Sequence, residues 1–224
     1  MRENLTQAIE DYLKAIYDVT YKEGRASTTK LAEYLSVTPA SVTGMIQKLS
    51  QTEPPLVEYQ KHHGVILTNA GEKIALETIR HHRLLELFLH QVLGYEWDEV
   101  HDEADRLEHV ISERFEDRIA AALGDPNHDP HGDPIPRKDL SLPQVTNIPL
   151  SKLRLDETAI IKRVRDTEPD LLRYLSDLGV VPDAKVKVVD FSEFDGNLHL
   201  QIEGKQDIVV LGPRITDQIF IEET

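Results

Sequence analysis

Two stretches of this chain concentrate side chains able to bind a divalent cation. In HDEADRLEH, His101, Asp105, Glu108 and His109 stand at i, i+4, i+7 and i+8. On an α-helix those positions share one stripe, and Leu107, Val110 and Ile111 give the same helix an apolar side. Two imidazoles and two carboxylates facing an interior are costly to desolvate unless something binds them, and a divalent cation is the simplest partner. Upstream, HRLLE places His82 and Glu86 one helical turn apart. The competing reading is a solvated acidic helix with scattered histidines. A third group, His128, Asp129, His131 and Asp133, lies in a Pro- and Gly-rich stretch whose loop composition accounts for it without a metal.

Composition narrows the chemistry. The 224 residues include no cysteine, so disulfides, thiolate metal sites and a cysteine nucleophile are excluded; a metal must be held by nitrogen and oxygen. The hydrophobic fraction of 40% is that of a soluble globular protein. No apolar run reaches the roughly 18 to 20 residues of a membrane span, and MRENLTQAIEDY carries no apolar signal core. The expectation is a soluble, cytoplasmic protein with no membrane partner. The net charge of −15 argues against nucleic acid, but its distribution does not. Residues 1–85 balance to zero, and the whole acidic excess lies beyond them. If DNA is bound, the first third binds it.

The elements that must position these groups can be read in order. Residues 4–21 have helical periodicity through Leu5, Ile9, Tyr12, Leu13 and Ile16, with Asp11 beside the apolar face. TKLAEYL then reads as a short helix capped by Thr28 or Thr29, and Val37–Thr38 as a tight turn. PASVTGMIQKLS reads as a second helix with Thr38 as its cap and Pro39 in its first turn. Helix, turn, helix with this apolar pattern is the helix-turn-helix arrangement. Thr28, Thr38, Pro39, Ala40, Ser41, Thr43, Gln47 and Lys48 are the candidate DNA contacts, small and polar near the helix start and basic farther along. LVEYQKHHGVILTNAG follows as a hairpin, a wing with Lys61 at its tip near phosphate. A long helix runs from Asn69 to Leu93, closed by Gly94, and one or two more end at Gly124. Their apolar surplus (Leu84, Leu87, Phe88, Trp97, Val110, Phe115) suits a homodimer interface. Residues 124–149 read as an irregular connection. Five short alternating runs and one helix ending at Gly179 then form a small β-barrel of SH3-like type.

The expected fold is therefore α+β: a winged-helix DNA-binding domain over 1–72, a helical metal-binding and dimerisation domain over 73–140, a linker at 141–150 and an SH3-like, FeoA-like domain over 151–224. The motifs EDYL, HRLLE and VHDEADRLEH, in this order and with these gaps, followed by GDPIP, resemble the diphtheria-toxin-repressor family of metal-dependent transcriptional regulators along nearly the whole chain.

That resemblance implies a homodimer that binds palindromic operator DNA when Mn²⁺ or Fe²⁺ is bound, and represses metal-uptake genes. It implies an activating site from Asp11, Asp105, Glu108 and His109. It also implies an ancillary site from His82, Glu86 and His101, completed by Glu168 and, because the next family position is Leu171, by Asp170 beside it. Asp11 and Asp105 stand where iron-sensing members carry Met and Cys, which favours manganese. Lys14 stands where compact manganese sensors carry a second glutamate, which favours a mononuclear activating site. Three carboxylates and one imidazole make a hard site suited to Mn²⁺ or Fe²⁺. Two other readings stand beside this one: a metallohydrolase, for which no acid/base set presents itself, and a winged-helix regulator answering to a non-metal effector.

Overall fold

The computed structural model describes residues 5–60, 62–165 and 168–224, without the side chains of Lys22 and Glu23. The chain divides into two compact units. The first comprises residues 1–82, 106–111 and 136–141, the second residues 83–105, 112–135 and 142–224.

The first unit holds helices α1 (Gln7–Glu23), α2 (Thr28–Tyr34) and α3 (Pro39–Ser50), the hairpin β1 (Val57–Gln60) and β2 (Gly64–Leu67), and the start of α4 (Asn69–Leu93). Its core is the apolar stripe of α1 (Leu13, Ala15, Ile16) closed against Leu31, Val42, Ile46, Leu49 and Val65, all fully buried. Thr38 caps α3 as its sequence implies, accepting the Ser41 N–H at 3.2 Å, with Pro39 in the first turn. The cap of α2 is Ser27, whose hydroxyl accepts from Lys30 N–H, rather than Thr28 or Thr29. Ser27 keeps the extended backbone that a cap requires, whereas Thr28 is already the first helical residue. Ala26 exchanges both backbone hydrogen bonds with Val65, which ties the wing to the loop before α2. Helix α4 starts against the wing: a Cβ added at Gly71 would lie 2.0 Å from the Leu56 carbonyl oxygen, so only glycine permits this approach.

The second unit takes in the rest of α4, most of α5 (Val100–Leu107), α6 (Glu113–Ala122) and a sheet domain. Ser112 caps α6. The sheet is antiparallel with six strands in the order β3-β8-β4-β5-β6-β7: β3 (Ile148–Pro149), β4 (Thr158–Val164), β5 (Lys185–Phe191), β6 (Leu198–Ile202), β7 (Ile208–Leu211) and β8 (Ile219–Glu223). Alternate residues (Ala159, Ile161, Val186, Val188, Leu198, Leu200, Ile202) are buried against α7 (Pro169–Leu178), which Gly179 closes in the left-handed conformation. A short helix, α8 (Pro213–Thr216), precedes β8.

Three sequence expectations change. Pairing begins inside the stretch read as linker, where Ile148 and Pro149 add a sixth strand on β8. The irregular stretch before it is partly core: Asp129, His131 and Ile135 are buried. And the ligand-bearing helix is shorter than its pattern suggests. Helix α5 ends at Leu107, and Glu108 and His109 lie in the turn beyond it, where the amides of Val110 and Ile111 both bond to Leu107 O. The buried residues of α5 are Val100 and Ala104; Val110 is 66% exposed. The stripe of four is thus a helix followed by a corner, broken because Ser112 starts a new helix three residues on.

Replacing Gly71 by alanine should improve helix propensity yet destabilise the first unit by about 1–3 kcal/mol, because backbone must move to admit the methyl. Thermal denaturation of the variant checks this; an unchanged or raised midpoint would contradict it.

Candidate metal centre

Glu108 is 1% exposed and is the centre of a charged cluster in the first unit. Its Oε2 accepts from Lys14 Nζ at 2.8 Å and from His82 Nδ1 at 2.5 Å. Its Oε1 lies 3.4 Å from His109 Nε2. His109 Nε2 is also 2.8 Å from Asp11 Oδ1, and its Nδ1 is 2.5 Å from Glu10 Oε2. Asp11, Glu108 and His109 each present one ligand atom within 4.8 Å of the others. Helix α1 supplies Glu10, Asp11 and Lys14, spaced i, i+1 and i+4 so that Glu10 and Lys14 share a face. Helix α4 supplies His82, and the corner after α5 supplies Glu108 and His109.

The electrostatics follow from that crowding. Burial opposes a charged ring at His109, but hydrogen bonds to Asp11 and Glu10 and the charge of Glu108 outweigh it, pushing its pKa up to about 9. Burial likewise opposes the Glu108 carboxylate; the hydrogen bond and charge of His82, with those of Lys14, reverse the sign and hold it below its ordinary value. A cluster that keeps a proton on His109 at neutral pH is one in which a divalent cation can take that proton's place. The donor set, two carboxylates and an imidazole, fits such an ion.

Glu10 was not singled out in the sequence, although its neighbour Asp11 was. Its carboxylate faces the ring nitrogen of His109 opposite to the one on Asp11, which is where a ligating histidine is ordinarily held by an acceptor. The sequence shows only an acid next to Ile9 on α1; that it is buried, at 5% exposed, is seen in the structure alone. Asp105 belongs to the second unit, where its half-exposed carboxylate lies 3.6 Å from His101 Nε2. His101 Nδ1 is 3.2 Å from Glu86 Oε1 in the same unit.

The second unit also assembles a buried trio that loop composition had discounted. Glu86, Asp129 and His131 are 2%, 7% and 0% exposed and present ligand atoms within 4.8 Å of one another. Asp129 Oδ1 accepts the amides of His131 and Asp133, both at 2.9 Å, and its Oδ2 is 3.6 Å from Arg83 Nε. Burial first, then the charges of Asp133 and Glu86, raise its pKa well above the usual carboxylate range. His131 donates Nε2–H to the Trp97 carbonyl at 2.7 Å, which leaves the lone pair on Nδ1. Glu168 precedes α7 and is exposed, and the exposed Asp170 is ion-paired with Arg173, which also holds Asp98 at 2.7 Å. Neither is in a cluster of ligand-competent side chains among the described residues.

Most of the candidate DNA contacts are exposed on α3 and at its cap. Thr38, Pro39, Ala40, Ser41, Gln47 and Lys48 are exposed, and Thr28 and Thr43 half-buried. Lys61 lies outside the described residues. Among the described residues no helix is long and apolar enough to cross a membrane.

In metal-free protein, the His109 ring should titrate near 9 by NMR. A folded-state pKa above the unfolded value of about 6.5 contributes stability that is complete below 6.5 and lost as pH rises through 9. Denaturant midpoints that do not fall across that window would contradict the cluster.

Comparison with known proteins bears on the domains that carry these residues. The iron dependent repressor N-terminal DNA binding domain matches residues 4–65, the iron dependent repressor metal binding and dimerisation domain residues 68–137, and the FeoA domain residues 148–223. The chain is 30% identical over 220 residues to the iron-dependent repressor IdeR of Mycobacterium leprae, covering 92% of this chain and 94% of that one. It is 39% identical over 114 residues to the HTH-type transcriptional regulator MntR of Bacillus pumilus, covering 51% of this chain and 77% of the relative. A manganese-dependent transcriptional repressor solved in complex with manganese superimposes with a TM-score of 0.86 at 39% identity, covering 96% of this chain and all of that one (100%). With a winged helix, a histidine–carboxylate cluster and an FeoA domain in that order, the chain belongs to the diphtheria-toxin-repressor family of metal-dependent transcriptional regulators.

Proposed function

We propose that this chain is a manganese-activated repressor, with Fe²⁺ as its alternative activator, that binds palindromic operator DNA as a homodimer and controls metal-uptake genes, without enzymatic activity. The observation that carries the reading is the convergence of Asp11 with Glu108 and His109, which stand 97 and 98 positions farther along the chain. The manganese-bound relative supports the choice of metal, as does the absence of sulfur from the donor set.

Asp11, Glu108 and His109 would hold the activating ion, with Asp105 the fourth ligand that the family resemblance implies. Bound there, a divalent ion supplies a fixed positive centre that neutralises the carboxylates and ties α1 to the corner after α5. To serve as a ligand His109 would give up its Nε2 proton, and Glu10, against Nδ1, would keep the ring in place. Helix α1 packs into the winged-helix core through Leu13 and Ile16, so fixing Asp11 fixes the domain that carries α3. In a dimer, two copies of α3 must match major-groove segments one turn or a multiple apart; the loaded state is favoured to the extent that it meets that spacing.

For the second ion we propose Glu86, Asp129 and His131, with His101 beside Glu86, in place of a set completed by Glu168 and Asp170. The trio is buried, and its histidine is oriented by a backbone carbonyl. Division into a DNA-binding domain over 1–72, a metal-binding and dimerisation domain over 73–140 and a FeoA-like domain over 151–224 remains the functional partition we propose.

The test is selection from a random duplex pool on chelator-stripped protein, with and without Mn²⁺. A palindrome enriched only with Mn²⁺ supports the reading; equal enrichment removes metal as the switch. Glu10→Gln should weaken Mn²⁺ binding by about 10- to 100-fold while leaving the fold intact, measured by calorimetry; unchanged affinity would remove Glu10 from the centre. At pH values well below 9, binding should release close to one proton per activating ion, falling to about half a proton at pH 9, and so weaken as pH falls; calorimetry in buffers of different ionisation enthalpy counts that proton, and a count near zero at neutral pH would mean His109 is not a ligand.

A further inference from the structure

We propose that Gly44 is a specificity-determining residue of α3: its bare backbone lets the helix seat against the methyl group of a thymine in the major groove, while Gln47, one turn on, supplies the hydrogen-bonding amide. The proposal rests on the assignment of α3 as the helix that enters the groove.

Glycine in the middle of α3 is unfavourable, because it is the poorest helix former after proline, and α3 is otherwise a regular helix with a good cap. Among the described residues nothing requires it. Of the eleven glycines, eight adopt positive φ, where a side chain is strained. Gly71 and Gly212 do not, but a Cβ there would lie 2.0 Å from the Leu56 carbonyl oxygen and 3.0 Å from Asn197 Oδ1. Gly44 has neither reason. Its backbone is helical, and beyond the neighbouring backbone of its own helix an added Cβ would meet nothing within 4 Å. The open space lies on the outer face. Val42, Ile46 and Leu49 are buried, whereas Ala40, Gly44, Gln47 and Lys48 are exposed and fall at i, i+4, i+7 and i+8 along one side of the helix.

The hydroxyls of α3 are engaged within the helix itself. Thr38 Oγ1 accepts the Ser41 N–H at 3.2 Å and shares a proton with Ser41 Oγ at 3.0 Å. Thr43 Oγ1 donates its one proton to the Pro39 carbonyl at 2.9 Å. Hydrogen-bond readout therefore shifts to Gln47, whose amide both donates and accepts and so matches the major-groove edge of adenine. At Gly44 there remains an apolar Cα with room in front of it. The apolar group on a major-groove base edge is the C5 methyl of thymine, and a side chain at 44 would take the space that the methyl needs.

Mn²⁺-loaded full-length protein and the duplex motif it selects from a random pool test this. Gly44→Ala should raise the thermal midpoint by about 2–4 °C, as expected for an exposed helical position, yet weaken binding to the motif by about 10-fold or more. Deoxyuridine in place of thymine removes the methyl alone. At one thymine per half-site that exchange should weaken the unsubstituted protein by about 4-fold, the loss of one buried methyl, and should leave the Gly44→Ala variant unaffected. A variant that binds the motif as tightly as the unsubstituted protein overturns the proposal, and so does indifference of the unsubstituted protein to deoxyuridine at every thymine. A lowered midpoint in Gly44→Ala would mean that the fold itself needs this glycine, and overturns it too. If the unsubstituted protein selects no motif, the assignment of α3 as the groove reader fails and takes the proposal with it; a motif that is selected but bound equally by the variant removes only the role of Gly44.

Discussion

A carboxylate as buried as that of Glu108 cannot stay ionised without cations placed against it. Removing it from water costs several kcal/mol, recovered only through close, hydrogen-bonded partners. Three nitrogens meet that requirement: Lys14 on α1, His82 on α4, and His109 beside it in the corner. The first unit is therefore held by two different kinds of force. Apolar packing of α1 against α2, α3 and the wing makes the DNA-reading part. Charge compensation around Glu108 joins α1 to a segment 94 residues away from Lys14. Under the proposed assignment only the second of these would respond to a metal ion, because only there would charge and proton occupancy change on binding.

The second unit meets a similar requirement in a different way. Asp129 is as inaccessible as a core residue, yet its nearest guanidinium nitrogen, on Arg83, is 3.6 Å away and not in tight contact. Two backbone amides and that distant cation leave its charge less well compensated than that of Glu108, which is why its pKa rises where that of Glu108 falls. A cation would offset such a carboxylate beside Glu86 and a histidine oriented by a backbone carbonyl. The two clusters differ in kind: one holds an ammonium and a proton, the other a raised carboxylate.

Much of the architecture was legible in the chain because it is written in local signals. Thr38 followed by Pro39 starts α3, Gly94 ends α4, Gly179 ends α7, and alternation marks the strands, since each depends on the conformational preferences of a few neighbouring residues. The errors were also local in origin. Ser27 caps α2 because its backbone is extended, and propensity cannot choose among three consecutive hydroxyl residues. Helical spacing placed Glu108 and His109 on the stripe of α5, but periodicity carries no information about where a helix stops when the following Ser112 can begin another.

The residue types of the centre, hard oxygens and imidazoles with no sulfur, followed from the sequence alone, as did Asp11, Glu108 and His109 once the order of motifs was recognised. What the tertiary structure decided was their company. Glu10 and His109 are 99 positions apart, and nothing in either neighbourhood marks the pair. His82 has Glu108, 26 positions away, as a partner, and Lys14 enters as a charge rather than as a missing ligand. Asp129 and His131, dismissed as loop residues, are core. The physical reason is common to all four cases. Local sequence governs backbone conformation, whereas the pairing of buried charges depends on which segments are brought within about 3 Å of each other, and that is a property of the whole packed chain.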